Sequence, residues 1–248
     1  MILGLAGGAV LAAALTAAPA LAQTLTLDLG DNAGSTTARM IQILALLTVL
    51  SLAPSILVMV TSFTRIVTVL SFLRTALGIQ QSPPSSVIIS LALFLTAFVM
   101  APTFEQAFNS GIRPLINEEI SEGEALTRTV APFHKFMGEH VRDRDLKLFL
   151  DISKTPIPET PEATPLRALV PAFMISELRR AFEIGFLLFV PFLVIDLVVA
   201  SVLMSMGMMM LPPVVVSLPF KLIFFVLVDG WRLVAGSLVS SFMHGAPH

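Results

Sequence analysis

Cysteine is absent from this 248-residue chain. That absence excludes a disulfide, a thiolate nucleophile, a zinc–thiolate site and an iron–sulfur cluster, although it does not identify a compartment. Charge is scarce too: Asp, Glu, Lys and Arg make up 13% of the residues, and the formal net charge is -2. The charges gather in one middle stretch with no basic surplus, so nucleic-acid binding is not supported. No glycine loop of the phosphate-cradling kind is present, which leaves any energy source to other components. Nor does a nucleophile, base or metal cluster stand out, so the chain reads as a non-enzyme without cofactor or metal. His134 and His140 have no cysteine near them and are not spaced to share one helical turn as ligands. They read as solvated surface histidines.

Apolar residues, in contrast, are abundant. They make up 55% of the chain, and the mean hydropathy is +0.87, well above the apolar share of ordinary soluble domains. The bilayer is therefore the expected solvent, and the useful unit is the run of about 20 apolar residues that crosses its core. The expected fold class is all-α integral membrane, built from helical hairpins.

Five segments follow along the chain. Residues 1–22 read as a signal peptide: an apolar run from Ile2 to Ala18 leads to Ala20 and Ala22, which fit a cleavage site, although no Lys or Arg precedes the run. Residues 23–39 form a mature polar segment. Residues 40–101 make a first hydrophobic hairpin. Its first arm, Met40 to Val60, continues without a loop signal to Leu77, too long for one crossing, so a kink near Pro54 or a cytoplasmic extension is expected. Gly78 to Pro84 breaks the helix, and Val87 to Ala101 forms a short second arm ended by Pro102. Arg65 and Arg74 are the charges between the two arms and place their connection in the cytoplasm. Thr61, Thr64, Thr68, Ser71 and Thr75 share a helical face; close helix packing is the preferred reading and a water-lining stripe the other.

Residues 102–184 hold most of the charge and are expected to face the periplasm. Leu126, Val130, Phe133, Met137 and Val141 recur at helical spacing, which predicts an amphipathic helical hairpin, and Pro156, Pro158, Pro161 and Pro165 punctuate a linker after it. Residues 185–248 form a second hydrophobic hairpin, with arms at Gly185 to Met206 and Val214 to Val228.

Two features of that hairpin carry the functional reading. Asp196 and Lys221 sit mid-span, where an unpaired charge costs about 2.5–3.5 kcal/mol, so they are expected to pair within or between subunits; a proton relay is the weaker alternative because no chain of ionisable groups accompanies them. Met206, Met208, Met209 and Met210 crowd the turn beside Gly207. A contiguous run does not present one helical face, so a deformable constriction and plain membrane-facing packing both remain open.

Several blocks then resemble one family: Arg65-Ile66-Val67, Gly78-Ile79-Gln80-Gln81-Ser82-Pro83-Pro84, Pro171-Ala172-Phe173-Met174-Ile175-Ser176-Glu177-Leu178, Ile195-Asp196-Leu197-Val198-Val199-Ala200-Ser201, Gly207-Met208-Met209-Met210-Leu211-Pro212-Pro213 and Leu218-Pro219-Phe220-Lys221-Leu222. In this order they resemble the FliP family of flagellar export-gate proteins. The resemblance implies a homo-oligomer of about five copies joined by FliR and FliQ into a closed helical pore. It also implies the bacterial inner membrane within the flagellar basal body, and unfolded flagellar proteins as substrates. By the same resemblance Met208, Met209 and Met210 would form a gasket across the pore, Asp196 and Lys221 would pair between subunits, and the hairpins would pack mainly on one another. An injectisome homologue is the nearest alternative, disfavoured by the cleavage site at Ala22. A small ion channel or transporter would need more convergent polar groups at mid-membrane than Asp196 and Lys221 provide.

Overall fold

The computed structural model describes residues 33–79, 82–158, 160–208 and 210–243, with side chains from residue 40 onward except at positions 49 and 53. The expected signal peptide and its cleavage site lie outside the described residues, as do Gln80, Gln81 and Met209. Among the described residues every regular element is helical, and the chain is an all-α membrane protein. By its internal contacts the chain falls into two units, Met1–Ser51 and Leu52–His248.

Helix α1 spans Ala33–Met59 and includes the apolar run Met40–Met59. Pro54 lies inside it without ending it, and the break falls instead at Val60-Thr61-Ser62. A second helix, α2 (Phe63–Ala76), begins there. The break thus lies past Pro54, and α2 packs into the core: Ile66, Val69, Leu70, Leu73 and Ala76 are fully buried. Their three- and four-residue spacing makes one continuous apolar face, each large side chain contributing about 1.5–3 kcal/mol on burial. The hydroxyl stripe is split by this geometry. Thr61 and Thr64 are buried, whereas Ser71 and Thr75 turn back onto the carbonyls of Val67 and Ser71. Gly78, with φ +76, ends the helix.

Helix α3 (Ser85–Ala107) carries Pro102 inside it rather than at its end. It continues through a π-helical turn, Phe108–Ile112, into Arg113–Ile116, so the short second arm becomes an apolar helical run of 32 residues. A proline forfeits one backbone bond, a loss a helix packed in an apolar setting tolerates. Next come α4 (Glu122–His140), opened by Ser121 accepting from the Glu124 N–H, and α5 (Asp143–Ile152). The amphipathic pair expected from the sequence is present, but its register differs at one end: Leu126 is exposed and Ala125 takes its place inside.

The longest element is α6, Leu166–Ser205, which runs through Pro171 and Pro191. At 1.5 Å per residue it extends roughly 60 Å, about twice the hydrocarbon thickness. It begins well before Gly185, inside the stretch assigned from sequence to the charged region. Its first half buries Ala168, Ala172, Ala181 and Gly185 among larger residues, and the missing side chain at Gly185 lets Phe72 of α2 approach closely. A Cβ at Gly185 would stand 2.5 Å from the Phe72 ring. After a turn capped by Gly207 come α7 (Pro213–Leu227) and α8 (Gly230–Met243), which meet at a bend of 62°. At that bend Asp229 adopts φ +51. Helices α1, α3 and α6 are each long and apolar enough to cross a membrane, and α7 with α8 make a fourth crossing if the bent pair is one span.

The contacts fix a direction. Thr64 meets Met174, Arg65 meets Glu177, and Phe72 meets Phe182. Both helices advance together along these pairs, so α2 runs parallel to α6.

Candidate functional site

Asp196 and Lys221 come from different helices, α6 and α7, and meet in one chain. Lys221 Nζ donates to Asp196 Oδ2 at 2.6 Å and to the Ala76 carbonyl at 3.3 Å, while Ser217 Oγ, one turn earlier on α7, donates to Asp196 Oδ1. The lysine side chain is 4% exposed and the aspartate 29%. Ala76 ends α2, so the ammonium also sits at the negative end of that helix, where carbonyls lack intrahelical partners. Gly78 lies beside it, a Cβ there standing at ordinary contact distance, 4.0 Å from Nζ. One ammonium thus ties three elements: the end of α2, the middle of α6 and the middle of α7. Within the single chain the two side chains meet; the resemblance implied partners on neighbouring copies.

The turn joining α6 to α7 is built by backbone chemistry. Met208 N–H reaches back to the Leu203 carbonyl and Gly207 N–H to that of Met204. Gly207 takes φ +73, the left-handed residue that such a helix ending requires. Prolines 212 and 213 then start α7, where a missing N–H costs nothing. The methionines therefore stand on a loop at the tip of an apolar hairpin: Met210 is 99% exposed and Met208 39%. Above them the outer faces of α6 and α7 remain uncovered in the single chain, with Leu193, Val194, Leu197, Val198 and Val202 on one arm and Phe220, Ile223 and Val226 on the other. An apolar groove of about 440 Å³, between Val194, Val198, Val202 and Phe220, runs along the junction. A continuous uncovered apolar surface of this kind marks contact with lipid or with protein.

A second charged centre was missed from sequence. Arg65 and Glu177 are both fully buried. Arg65 Nε donates to Glu177 Oε2 at 2.8 Å and Nη2 donates to Oε1, the two-pronged geometry that holds a guanidinium most firmly. Reading Arg65 as a topological charge placed it in a cytoplasmic connection and Glu177 in the periplasmic region. The structure sets them in contact, because α2 lies beside the first half of α6. Only Arg74, which donates to Ser85 Oγ at 3.0 Å, still stands near the connection that the positive-inside argument concerned. The clue available was Glu177 itself, an acid with apolar or small neighbours on the same helical face at Phe173 and Ala181.

The histidines also differ from the expectation. His140 is buried in the last turn of α4 with Nδ1 2.8 Å from the Phe136 carbonyl, covered by the end of α8. His134 lies half-buried, with Nε2 2.7 Å from the Thr164 carbonyl. Beside them, Ser176 Oγ on α6 donates to Asp145 Oδ2 at 2.8 Å and accepts the Arg142 N–H, fastening α5 to α6. No group of three or more His, Asp or Glu side chains able to hold a metal ion occurs among the described residues.

Comparison with known proteins adds the family. The model of the FliP family matches residues 46–238. The flagellar biosynthetic protein FliP of Caulobacter vibrioides is 63% identical over 239 residues, which cover 96% of this chain and 90% of that one. The protein of the same name from Bacillus subtilis is 55% identical over 212 residues, covering 86% and 94%. That from Aquifex aeolicus is 53% identical over 204 residues, covering 82% and 85%.

Proposed function

The chain belongs to the FliP family, and from that premise we propose that it is a pore-forming subunit of the flagellar protein export gate in the bacterial inner membrane. It serves the flagellar export apparatus as a membrane-embedded component. About five copies join FliQ and FliR in one closed assembly, through which unfolded flagellar proteins pass. The mature chain begins after Ala22, and the chain itself carries out no catalysis.

The observation that carries this reading is the α6–α7 hairpin, in which uncovered apolar arms end in an exposed methionine turn and an internal Asp196–Lys221 pair fixes the arms to α2. Neighbouring copies cover the arms, and the turns converge on an axis. There Met208, Met209 and Met210 supply unbranched, polarizable side chains that close around water and yield to a passing polypeptide. The Asp196–Lys221 contact within one chain supports a reading in which the charges set the position of the hairpin and apolar packing makes the contact between copies.

The test is a tagged chain expressed with FliQ and FliR. Co-purification of the three is expected, and replacing Met208, Met209 and Met210 together by Ala should preserve that complex while raising its ion conductance in planar bilayers. A correctly assembled triple variant with unchanged conductance removes the gasket role, and failure to co-purify removes the gate assignment.

A further inference from the structure

The groups around Arg65 play no part in the pore reading, yet they converge on the far end of the chain. A guanidinium offers five N–H donors in a rigid fork. Two of its nitrogens serve Glu177, and the third, Nη1, donates to Ser241 Oγ at 3.1 Å. The guanidinium carbon also lies 3.8 Å from the centroid of the Phe242 ring, within range of a cation–π contact. From the opposite side His140 brings Nε2 to 3.3 Å from the Phe242 carbonyl, and its ring lies 4.5 Å from Phe136 and 5.4 Å from Phe242, centroid to centroid.

Ser241 and Phe242 belong to the last turn of α8. A helix end carries carbonyls without intrahelical partners and the negative pole of the helix dipole, so nearby cationic and N–H groups are what it recruits. The other end of α8 is a 62° bend through Asp229, and Trp231 and Leu233 on it are exposed. Val234 and Leu238 pack into the apolar core along the helix, and the terminal turn adds the polar and cationic contacts that apolar packing alone does not supply.

We propose that Arg65 and Glu177 are positioning residues that seat the C-terminal helix. Glu177 takes two prongs of the fork and so aims the third prong and the cationic face at Ser241 and Phe242. The seat fixes the bend between α7 and α8, and with it the angle at which the apolar face of α7 is presented. None of this requires the chain to form a pore.

Hydrogen exchange on the full-length chain in detergent tests the seat directly. Arg65→Gln should accelerate exchange in the last two turns of α8 by about ten- to a hundredfold, the loss expected for a charge-assisted bond and its stacking contact. Glu177→Gln should loosen the same turns to a smaller degree. Ser241→Ala combined with Phe242→Leu leaves the buried pair intact and should loosen α8 alone, with α5 exchanging as before through its own tie at Asp145 and Ser176. This combined variant decides the matter if the Arg65 variants do not fold. Unchanged exchange in α8, or acceleration spread evenly over α4, α5 and α6, would overturn the proposal.

Discussion

Removing Asp196 should destabilise this chain more than removing Lys221, and removing both should cost less than the two losses added together. The ammonium of Lys221 has little water to return to, with the side chain 4% exposed. Taking away its carboxylate leaves the Ala76 carbonyl as its remaining acceptor, and stripping one partner from a buried pair costs about 3–5 kcal/mol. The retained carbonyl and the open side of the site, where Asp196 is 29% exposed, place the expected loss near the lower bound, about 3 kcal/mol. Lys221→Ala is milder. Asp196 keeps the Ser217 hydroxyl and some water, so a loss of about 1–2 kcal/mol is expected from the missing bond. With both replaced by Ala no orphaned charge remains, which predicts a coupling of at least about 1 kcal/mol between the sites. Since 1 kcal/mol moves the midpoint of a chain of this size by about 2–4 °C, Asp196→Ala should lower the unfolding temperature by about 6–12 °C. The fluorescence of Trp231, the single tryptophan, is the readout, because its ring packs edge-on against Phe225 of α7 with centroids 5.4 Å apart. Strict additivity in the double variant would refute the coupling, whatever the size of the single effects.

Two glycines give contrasting expectations from the same substitution. Gly185→Ala would set a methyl 2.5 Å from the Phe72 ring, and should cost about 1–3 kcal/mol in thermal unfolding; in that background Phe72→Ala, which removes the clashing ring atoms, should cost less than it does in the parent chain, since the obstacle is a side chain. Gly111→Ala would meet not only Thr129 Oγ1 but also the Ala125 carbonyl oxygen and Thr129 nitrogen, both at 2.8 Å. It should therefore separate the π-helical turn from α4, seen as faster hydrogen exchange in both, and Thr129→Ala should give no rescue because the backbone remains in the way.

The parts of the fold that were legible in the sequence were those set by local chemistry. Apolar runs announced the long helices, the spacing of Val130, Phe133 and Met137 announced α4, and Gly207 followed by Pro212-Pro213 announced the hairpin turn. Asp196 and Lys221 could be proposed as partners because each is costly alone in an apolar setting. What stayed hidden depended on which helices become neighbours. Hydropathy follows the chain in one dimension, so it extended α1 through α2 and closed α3 at Pro102. It could not know that α2 would be enclosed by α6 or that packing would carry α3 past a proline. Arg65 shows the same limit. An arginine beside an apolar run is a topological marker when solvated and a core residue when a glutamate 112 positions later meets it, and only the tertiary contact separates the two.

The two buried charge centres share a geometry that bears on why so apolar a chain keeps them. Both fasten α2 to α6: Arg65 in the first turn of α2 reaches Glu177, and the carbonyl ending α2 receives Lys221, which in turn holds Asp196. Along α6 the two carboxylates are separated by roughly 28 Å, about five turns. Each centre also captures one piece of the C-terminal arm, Lys221 on α7 and Ser241 with Phe242 on α8. Apolar faces made of Val, Leu, Ile and Phe can slide by a turn with little change in buried area, whereas a two-pronged Arg–Glu contact or an ammonium with defined acceptors is lost on such a slip. Replacing one partner of such a contact costs more than a comparable apolar truncation, yet replacing both by well-packed apolar groups is often neutral. Stability alone therefore gives weak reason to keep them. Register gives a stronger one, because two fixed points along α6 determine both where α2 lies and where the bent α7–α8 arm turns.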